Sequence, residues 1–328
     1  MTDKSRTSQK RLNKNLITGG LGFIGYHLAR LLLSEGEEVV LFDIAPEGKL
    51  SKGIRDNIKV IHGDLCNWTE VFNAVKTNNI NCIYHAGALL PPISEQSPTA
   101  TYAVNITGTL NVLESARLLG VSSVIFTSTL ATFGPDAPRI VPNDFAQRPV
   151  NMYGVSKVCS ELLGKYYHER FGLNFRGVRF PPIIGMGRFD RAQSAYTYLA
   201  IQEAAMGRPY TIYVDKATTI ALLYVKDAAH ALLDLKRAAE EKLSQRVYNL
   251  HGFSVTAQEL ADSIKKHIPE AKLEFKPDQK MIKLVENLPE RLDDTLARKD
   301  WGWFPRYSLD QAVEDFIKDV RANQDIYK

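Results

Sequence analysis

Tyr153 and Lys157 stand four residues apart in Tyr153-Gly154-Val155-Ser156-Lys157, a spacing that puts both on one face of a helix. A phenol titrates near ~10 and is a poor base at neutral pH. A neighbouring ammonium, and any further positive charge nearby, favours the phenolate and brings its proton affinity toward the working range. Such a pair suits proton transfer at an alcohol oxygen while a hydride moves on the carbon beneath it. Thr129 closes the apolar run Ser123-Val124-Ile125-Phe126-Thr127-Ser128-Thr129, where its hydroxyl can hydrogen-bond the reacting oxygen. A Tyr-x-x-x-Lys pair arises by chance in many helices, so its meaning depends on what surrounds it.

What surrounds it is a dinucleotide pattern. Leu16-Ile17-Thr18 reads as a short apolar strand, Gly19-Gly20-Leu21-Gly22-Phe23-Ile24-Gly25 as a turn, and the residues on to about Ser34 as a helix. Gly19 makes the tight turn, Gly22 lets backbone approach a pyrophosphate, and Gly25 lets the helix pack on the strand. The N–H groups that open the helix, at Phe23 and Ile24, then meet the phosphate. Asp43 ends the next strand, Glu38–Asp43, at the distance where an acid takes the ribose hydroxyls of NAD and repels the extra phosphate of NADP. A solvated loop acid is the plainer reading of Asp43. Asp64, which ends the strand at 58–64 in a Gly-Asp-Leu turn, either contacts adenine or is only a turn residue.

These residues need a scaffold, and the first half of the chain supplies one by alternating strands and helices. After the third strand come a helix at about 69–77, a strand from Cys82, a long helix at about 99–119 and the fifth strand, Ser123–Thr129. A proline-dotted loop, a helix at about 152–171 and a strand at 174–180 follow. Alternation of this kind predicts a Rossmann-like, doubly wound parallel sheet. Runs such as Val124-Ile125-Phe126 lack period-two polarity, as strands covered on both faces do. Beyond Pro181 the elements shorten into helices near 196–206, 227–239 and 257–267 and strands near 210–214, 221–225 and 247–250. The expected division is a disordered basic tail (1–14), an NAD-binding domain (15–181) and a smaller α/β substrate lobe (182–328) that returns in part to the main sheet and covers a cleft at the carboxyl ends of its strands.

Thr18-Gly19-Gly20-x-Gly22-x-x-Gly25, Asp64-Leu65, Ala86-Gly87, Asn105, Thr129 and Tyr153-x-x-x-Lys157 together resemble an extended short-chain dehydrogenase/reductase of the NAD-dependent epimerase/dehydratase family. The resemblance implies that Tyr153 is the acid/base, that Lys157 holds the nicotinamide ribose, that Thr129 takes the usual Ser/Thr role and that Asn105 supports a proton-relay water. It extends the cofactor set to Leu65, Ala86, Gly87, Ala88, Asn105, Thr127 and Pro181, the last in the loop lying against the nicotinamide. Phe133-Gly134-Pro135, Gly207-Arg208-Pro209-Tyr210-Thr211, Tyr248-Asn249-Leu250 and Ala297-Arg298-Lys299-Asp300-Trp301-Gly302-Trp303 look closest to the short-chain type of L-threonine 3-dehydrogenase, so the resemblance reaches through the second lobe.

The departures fall on the substrate side. Pro91 stands where that type carries a serine after Leu89-Leu90. Its Thr-Thr-Asp stretch aligns with Gln193-Ser194-Ala195, without the acid, and its arginine upstream of Tyr224 and Asp227 is replaced around Thr218-Thr219-Ile220. A buried ammonium with no carboxylate partner is expensive, which points away from threonine itself. Leu90, Thr129, Tyr153, Arg188 and Ser194 form the expected substrate set. Arg188 and Arg191, flanking Asp190, offer contacts for a carboxylate or phosphate, or are plain loop arginines. The expected activity is NAD-dependent oxidation or reduction at a secondary alcohol of a small polar substrate. The alternative is a nucleotide-sugar 4-epimerase or dehydratase with tightly bound NAD, lowered by the same missing arginine and by Leu130-Ala131 after Thr129. A catalytically silent dinucleotide sensor is the third reading.

Bulk properties narrow the rest. The 328 residues are 45% hydrophobic and 24% charged with a net charge of +4, the composition of an ordinary globular protein. Lys4, Arg6, Lys10, Arg11 and Lys14 account for the excess charge, and this start lacks the apolar run of a secretory signal. No nucleic-acid partner is expected. Nor is a membrane span, since no segment approaches ~18 uninterrupted apolar residues. Cys66, Cys82 and Cys159 share no metal-ligand spacing; no metal and a cytoplasmic location are expected. Family analogy adds a homodimer through the helices at about 99–119 and 152–171. His85 reads as packed beside the cofactor, and His27 as surface or core filler.

Overall fold

The computed structural model describes residues 13–48, 50, 54, 57–190 and 192–327. Nearly all of the expected basic tail, and Arg191, lie outside these. Lys14, assigned above to the tail, instead opens β1 (Lys14–Thr18). The chain continues through α1 (Phe23–Ser34), β2 (Glu38–Asp43), β3 (Lys59–His62), α2 (Trp68–Thr77) and β4 (Cys82–His85). Two short turns, α3 (Ile93–Gln96) and α4 (Pro98–Thr101), run into a π-helical segment at Tyr102–Thr107 and then α5 (Gly108–Leu118). The single helix expected over 99–119 is therefore interrupted. A π-bulge inserts one residue without changing the apolar period, so side-chain spacing carries no trace of it.

β5 (Ser123–Thr129), β6 (Ile140–Val141), α6 (Met152–Phe171) and β7 (Phe175–Phe180) complete the first half. Asn151 caps α6 by accepting from the Gly154 N–H at 2.7 Å, and Gly172, left-handed at φ 70°, ends it. The second half holds β8 (Ile183–Ile184), α7 (Tyr196–Ala205), β9 (Tyr210–Ile212), β10 (Thr219–Tyr224), α8 (Val225–Arg237), β11 (Val247–Asn249), β12 (Phe253–Thr256) and α9 (Ala257–His267). It closes with β13 (Leu273–Phe275), α10 (Gln279–Glu286), β14 (Arg291–Leu292), α11 (Thr295–Trp301) and α12 (Leu309–Ala322).

Seven parallel strands form the main sheet in the order β11-β7-β5-β4-β1-β2-β3. The order reverses between β1 and β4, which opens a crevice at their carboxyl ends, the place where doubly wound sheets take ligands. Smaller sheets, β12-β10-β8 and β13-β9, build the second lobe, and β14-β6 pairs it with the loop after β5. β11 and α8 both come from beyond Pro181 yet belong to the main sheet layer. One apolar cluster accordingly runs from Ile17, Leu28 and Tyr84 through Tyr196, Leu232 and Phe316, joining the two halves. A second cluster, around Val71, Val112, Val124 and Phe175, fills the opposite face under α2, α5 and α6.

Candidate active site

The crevice begins at Gly19, whose φ of 66° is left-handed; a Cβ there would lie 2.7 Å from the Gly87 Cα. The turns after β1 and β4 touch backbone to backbone, and only glycine permits it. A Cβ at Gly25 would meet the Gly19 carbonyl oxygen at 2.4 Å, so this glycine sets how closely α1 approaches the turn. Gly22 is the N-cap of α1. No side chain caps this helix end and no acid stands in its first turn, which leaves the N–H groups around Phe23 and Ile24 for an anion.

Asp43 Oδ2 accepts from the Leu21 N–H at 3.0 Å and its Oδ1 from the Ala45 N–H at 2.9 Å. The carboxylate thus braces the glycine turn and lies beside it, with lone pairs left for hydroxyl groups. Asp64 closes a turn onto the Cys66 N–H at 2.8 Å, the plainer of its two readings. Leu65 is buried where a Cβ on Gly87 or Gly108 would strike it, and its carbonyl takes the Asn111 amide. The Ala86 N–H donates to the Thr18 carbonyl, with Ala88 half-buried beyond it. Pro181 is buried directly after β7. These residues fit a dinucleotide: a helix start for the pyrophosphate, an acid for ribose hydroxyls and glycine-thin walls between them.

The proton-transfer group lies beside this crevice. Tyr153, in the first turn of α6, has its phenol next to the Thr129 side chain, where β5 ends. Burial pushes the phenol well above its ordinary range, and the Thr129 contact acts in the opposite sense. Lys157 is 3% exposed, donates from Nζ to the Thr127 carbonyl at 2.7 Å and sits 4.6 Å over the Phe126 ring. Burial lowers its ammonium to about 7, with Glu161 opposing the shift. Burial thus disfavours the charged form of both groups, and a positive charge in the crevice would favour the Tyr153 phenolate. The Thr127 hydroxyl bonds the His85 carbonyl at 3.2 Å, leaving its own carbonyl as the residue's contribution.

Asn105, expected to support a proton-relay water, is tied into the protein on several sides. Its side chain accepts from the Leu89 N–H at 2.7 Å and donates to the Leu89 carbonyl and to Ser156 Oγ, while its carbonyl takes Thr109 and Ser160. The side chain thus holds the Leu89 backbone and Ser156, and the carbonyl ties in Thr109 of α5 and Ser160 of α6. Leu90 itself is exposed. Arg188 is not a free anion contact. Its Nε and Nη2 grip Asp190 at 2.6 and 3.0 Å and its Nη1 donates to the Ile183 carbonyl, because an arginine this enclosed needs a carboxylate partner. Both members of the pair act electrostatically on Tyr153. Arg188, Tyr198, Ala195, Gln202 and Tyr213 line a cavity of about 450 Å³. Ser194 is buried beside it, with its carbonyl taken by Thr197. Tyr224 and Asp227 turn to structure: the first bonds Asp315, and the second accepts from the Arg306 and Tyr307 N–H groups.

Two features escape any local reading. Glu95 of α3 accepts from the Met152 and Tyr153 N–H groups at 3.1 and 3.2 Å, tying the Leu90 loop to the start of α6. Glu161, wholly buried, holds Arg179 of β7 through two oxygens and also takes Ser128 and Gln147. A glutamate in a helix 18 residues before an arginine in a strand carries no signal of pairing.

The family model described as NAD dependent epimerase/dehydratase family matches residues 15–250. The mitochondrial L-threonine 3-dehydrogenase of Sus scrofa is 35% identical over 96% of this chain and 84% of its own. Among solved structures, the L-threonine dehydrogenase of Clostridium difficile superposes with a TM-score of 0.88 at 31% identity, covering 96% of this chain and 99% of that one. The holo form of the L-threonine dehydrogenase of Cupriavidus necator gives 0.87 at 30% identity, over 94% and 99%.

Proposed function

The chain belongs to the NAD dependent epimerase/dehydratase family, and from that premise we propose that it is an NAD-dependent oxidoreductase acting on the secondary alcohol of a small polar substrate. The observation that supports this best is the placement of Tyr153 and buried Lys157 on successive turns of α6, with Thr129 acting on the phenol, at the carboxyl end of β5 beside the dinucleotide crevice. Bound NAD supplies the hydride acceptor and a positive charge on its oxidised ring. The helix start at Gly22, Phe23 and Ile24 would hold its pyrophosphate, Asp43 its adenosine ribose and Lys157 the second ribose.

In this reading the Thr129 hydroxyl fixes the substrate oxygen and the Tyr153 phenolate removes its proton. Lys157, charged below about 7 in the unliganded protein, lowers the proton affinity of Tyr153 while it holds its proton. L-threonine, named for the relatives above, is the first substrate to test. The carboxylate that acts on Tyr153, Asp190, is already held by Arg188, which favours a 3-hydroxy acid without an ammonium over threonine. Dimerisation through α5 and α6 is part of the proposal: Leu110, Val155, Leu162 and Tyr166 are exposed on these helices, with the last three at one-face spacing. Light scattering at twice 36.8 kDa tests it. A cytoplasmic location rests on the three free cysteines and is checked by fractionation of cells carrying the tagged protein. Among the described residues no helix is long and apolar enough to cross a membrane.

NADH absorbance is followed with L-threonine, small 3-hydroxy acids, aldonates and nucleotide sugars. Tyr153→Phe is expected to keep NAD binding and to lose roughly 10²–10⁴-fold in turnover. Wild-type turnover by that variant refutes the mechanism. Tightly bound NAD with no net NADH from any substrate points to internal redox instead.

A further inference from the structure

His85 ends β4 directly before Ala86-Gly87 and is 1% exposed. Burial, with the Lys157 charge adding to it, lowers its imidazole to about 3, so the ring is neutral. Nδ1 lies 2.6 Å from Thr18 Oγ1 and Nε2 lies 2.9 Å from Thr109 Oγ1. Proton counting decides the tautomer. Thr109 gives its one hydroxyl hydrogen to the Asn105 carbonyl at 2.6 Å, so its oxygen must accept and Nε2 must carry the ring hydrogen. Nδ1 then accepts from the Thr18 hydroxyl, whose oxygen takes the Gly87 N–H at 3.3 Å. The opposite tautomer leaves the Thr18 hydroxyl hydrogen without an acceptor at a fully buried position, which is unfavourable.

The connection continues through Asn105. Its side chain donates to Ser156 Oγ at 2.9 Å, and Ser156 donates to the Tyr153 carbonyl at 2.7 Å. Thr18, His85, Thr109, Asn105 and Ser156 are each at most 2% exposed, so bulk water does not replace any of these bonds.

We infer that His85 is a positioning residue, present as the Nε2–H tautomer, that sets the register between the dinucleotide turn and the helix bearing Tyr153. Its Nδ1 side governs Thr18 and Gly87, against which Gly19 packs. Its Nε2 side governs Thr109 and Asn105, which holds both Ser156 and the Leu89 backbone. The inference rests on the function proposed above and adds a division of labour within one side chain.

The test uses the full-length protein with NAD⁺, and the substrate that wild type turns over best in the panel above. His85→Asn retains an acceptor near the Nδ1 position, and His85→Gln a donor near the Nε2 position. The Gln variant is expected to bind NAD⁺ ~10-fold more weakly with kcat within about twofold of wild type, and the Asn variant to show the reverse. Parallel losses in both variants, or none, overturn the inference. If the histidine variants do not fold, Thr18→Val and Thr109→Val must show the same split between NAD⁺ affinity and kcat. Nitrogen-15 spectra of labelled histidine must show the Nε2–H form, and an Nδ1–H signal for His85 also overturns it. A wild type that neither binds NAD⁺ nor turns over any substrate refutes the proposed function, while the tautomer measurement still decides the hydrogen-bond assignment.

Discussion

Successive turns of α6 present two buried charges that the protein handles in opposite ways. Lys157 has a backbone carbonyl and the faces of aromatic rings for company, and among the described residues it forms no salt bridge. Four residues on, Glu161 meets Arg179 in a two-oxygen pair, with Ser128, Gln147, Asn143 and Asn249 satisfying what remains. The first charge is under-compensated, and burial moves its proton affinity into the neutral range. The second pair is compensated at nearly every valence and locks α6 to β5 and β7. A group that must respond to a passing charge cannot also be neutralised by a fixed partner. The same helix therefore keeps its rigid anchor one turn away from its titrating group.

Removing the anchor should have the largest effect. Glu161→Ala leaves Arg179 buried and uncompensated and is expected to cost about 3–5 kcal/mol in urea unfolding. The double change Glu161→Met with Arg179→Met should recover most of that loss. If the double variant is as unstable as the single one, the pair is not what distinguishes the two turns.

Removing the under-compensated charge should act in the opposite direction on stability. Lys157→Met is expected to raise Tm while cutting turnover by roughly 10²–10³-fold, because it deletes a desolvated ammonium along with its chemistry. The pH dependence sharpens this. The folded-state affinity is depressed, so between about 7, where the folded chain loses this proton, and 10.5, the ordinary lysine value, the unfolded chain binds more protons than the folded one. Stability of the unliganded wild type should therefore rise with pH across that window, and the Met variant should lack this component of the slope. Equal slopes would mean that Lys157 is better solvated than its surroundings indicate.

The same contrast explains what could be read along the chain. The glycine turn, Asp43, and the Tyr153/Lys157 pair are each set by spacings within one element and its neighbour, and the structure places Asp43 against the glycine turn and Tyr153 and Lys157 on successive turns of α6. The limits of α1, β2, β5, α6 and α9 follow from apolar runs and caps, and these too agree. Three features of the structure were not read from the chain. Arg188 is engaged by Asp190, Asn105 is committed to the Leu89 loop, and the long helix carrying Asn105 bends through a π segment. The Asn105 contacts come from other parts of the fold and the π segment from a one-residue bulge, and neither leaves a mark on local pattern; Arg188, by contrast, meets a carboxylate only two residues along the chain.

By itself, then, the sequence determined the alternating architecture, the glycine turn with Asp43 at the end of the next strand, and the face of α6 that Tyr153 and Lys157 share. Those are consequences of backbone periodicity and of where glycine is sterically required, and both act over a few residues. Only the tertiary structure decided which charges are paired, which hydroxyls Asn105 and His85 tie together, and that β11 and α8 from the far half complete the main sheet. Desolvation makes those choices. A buried polar group must find a partner wherever the fold supplies one, and that partner's distance along the chain has no bearing on the free energy of the bond.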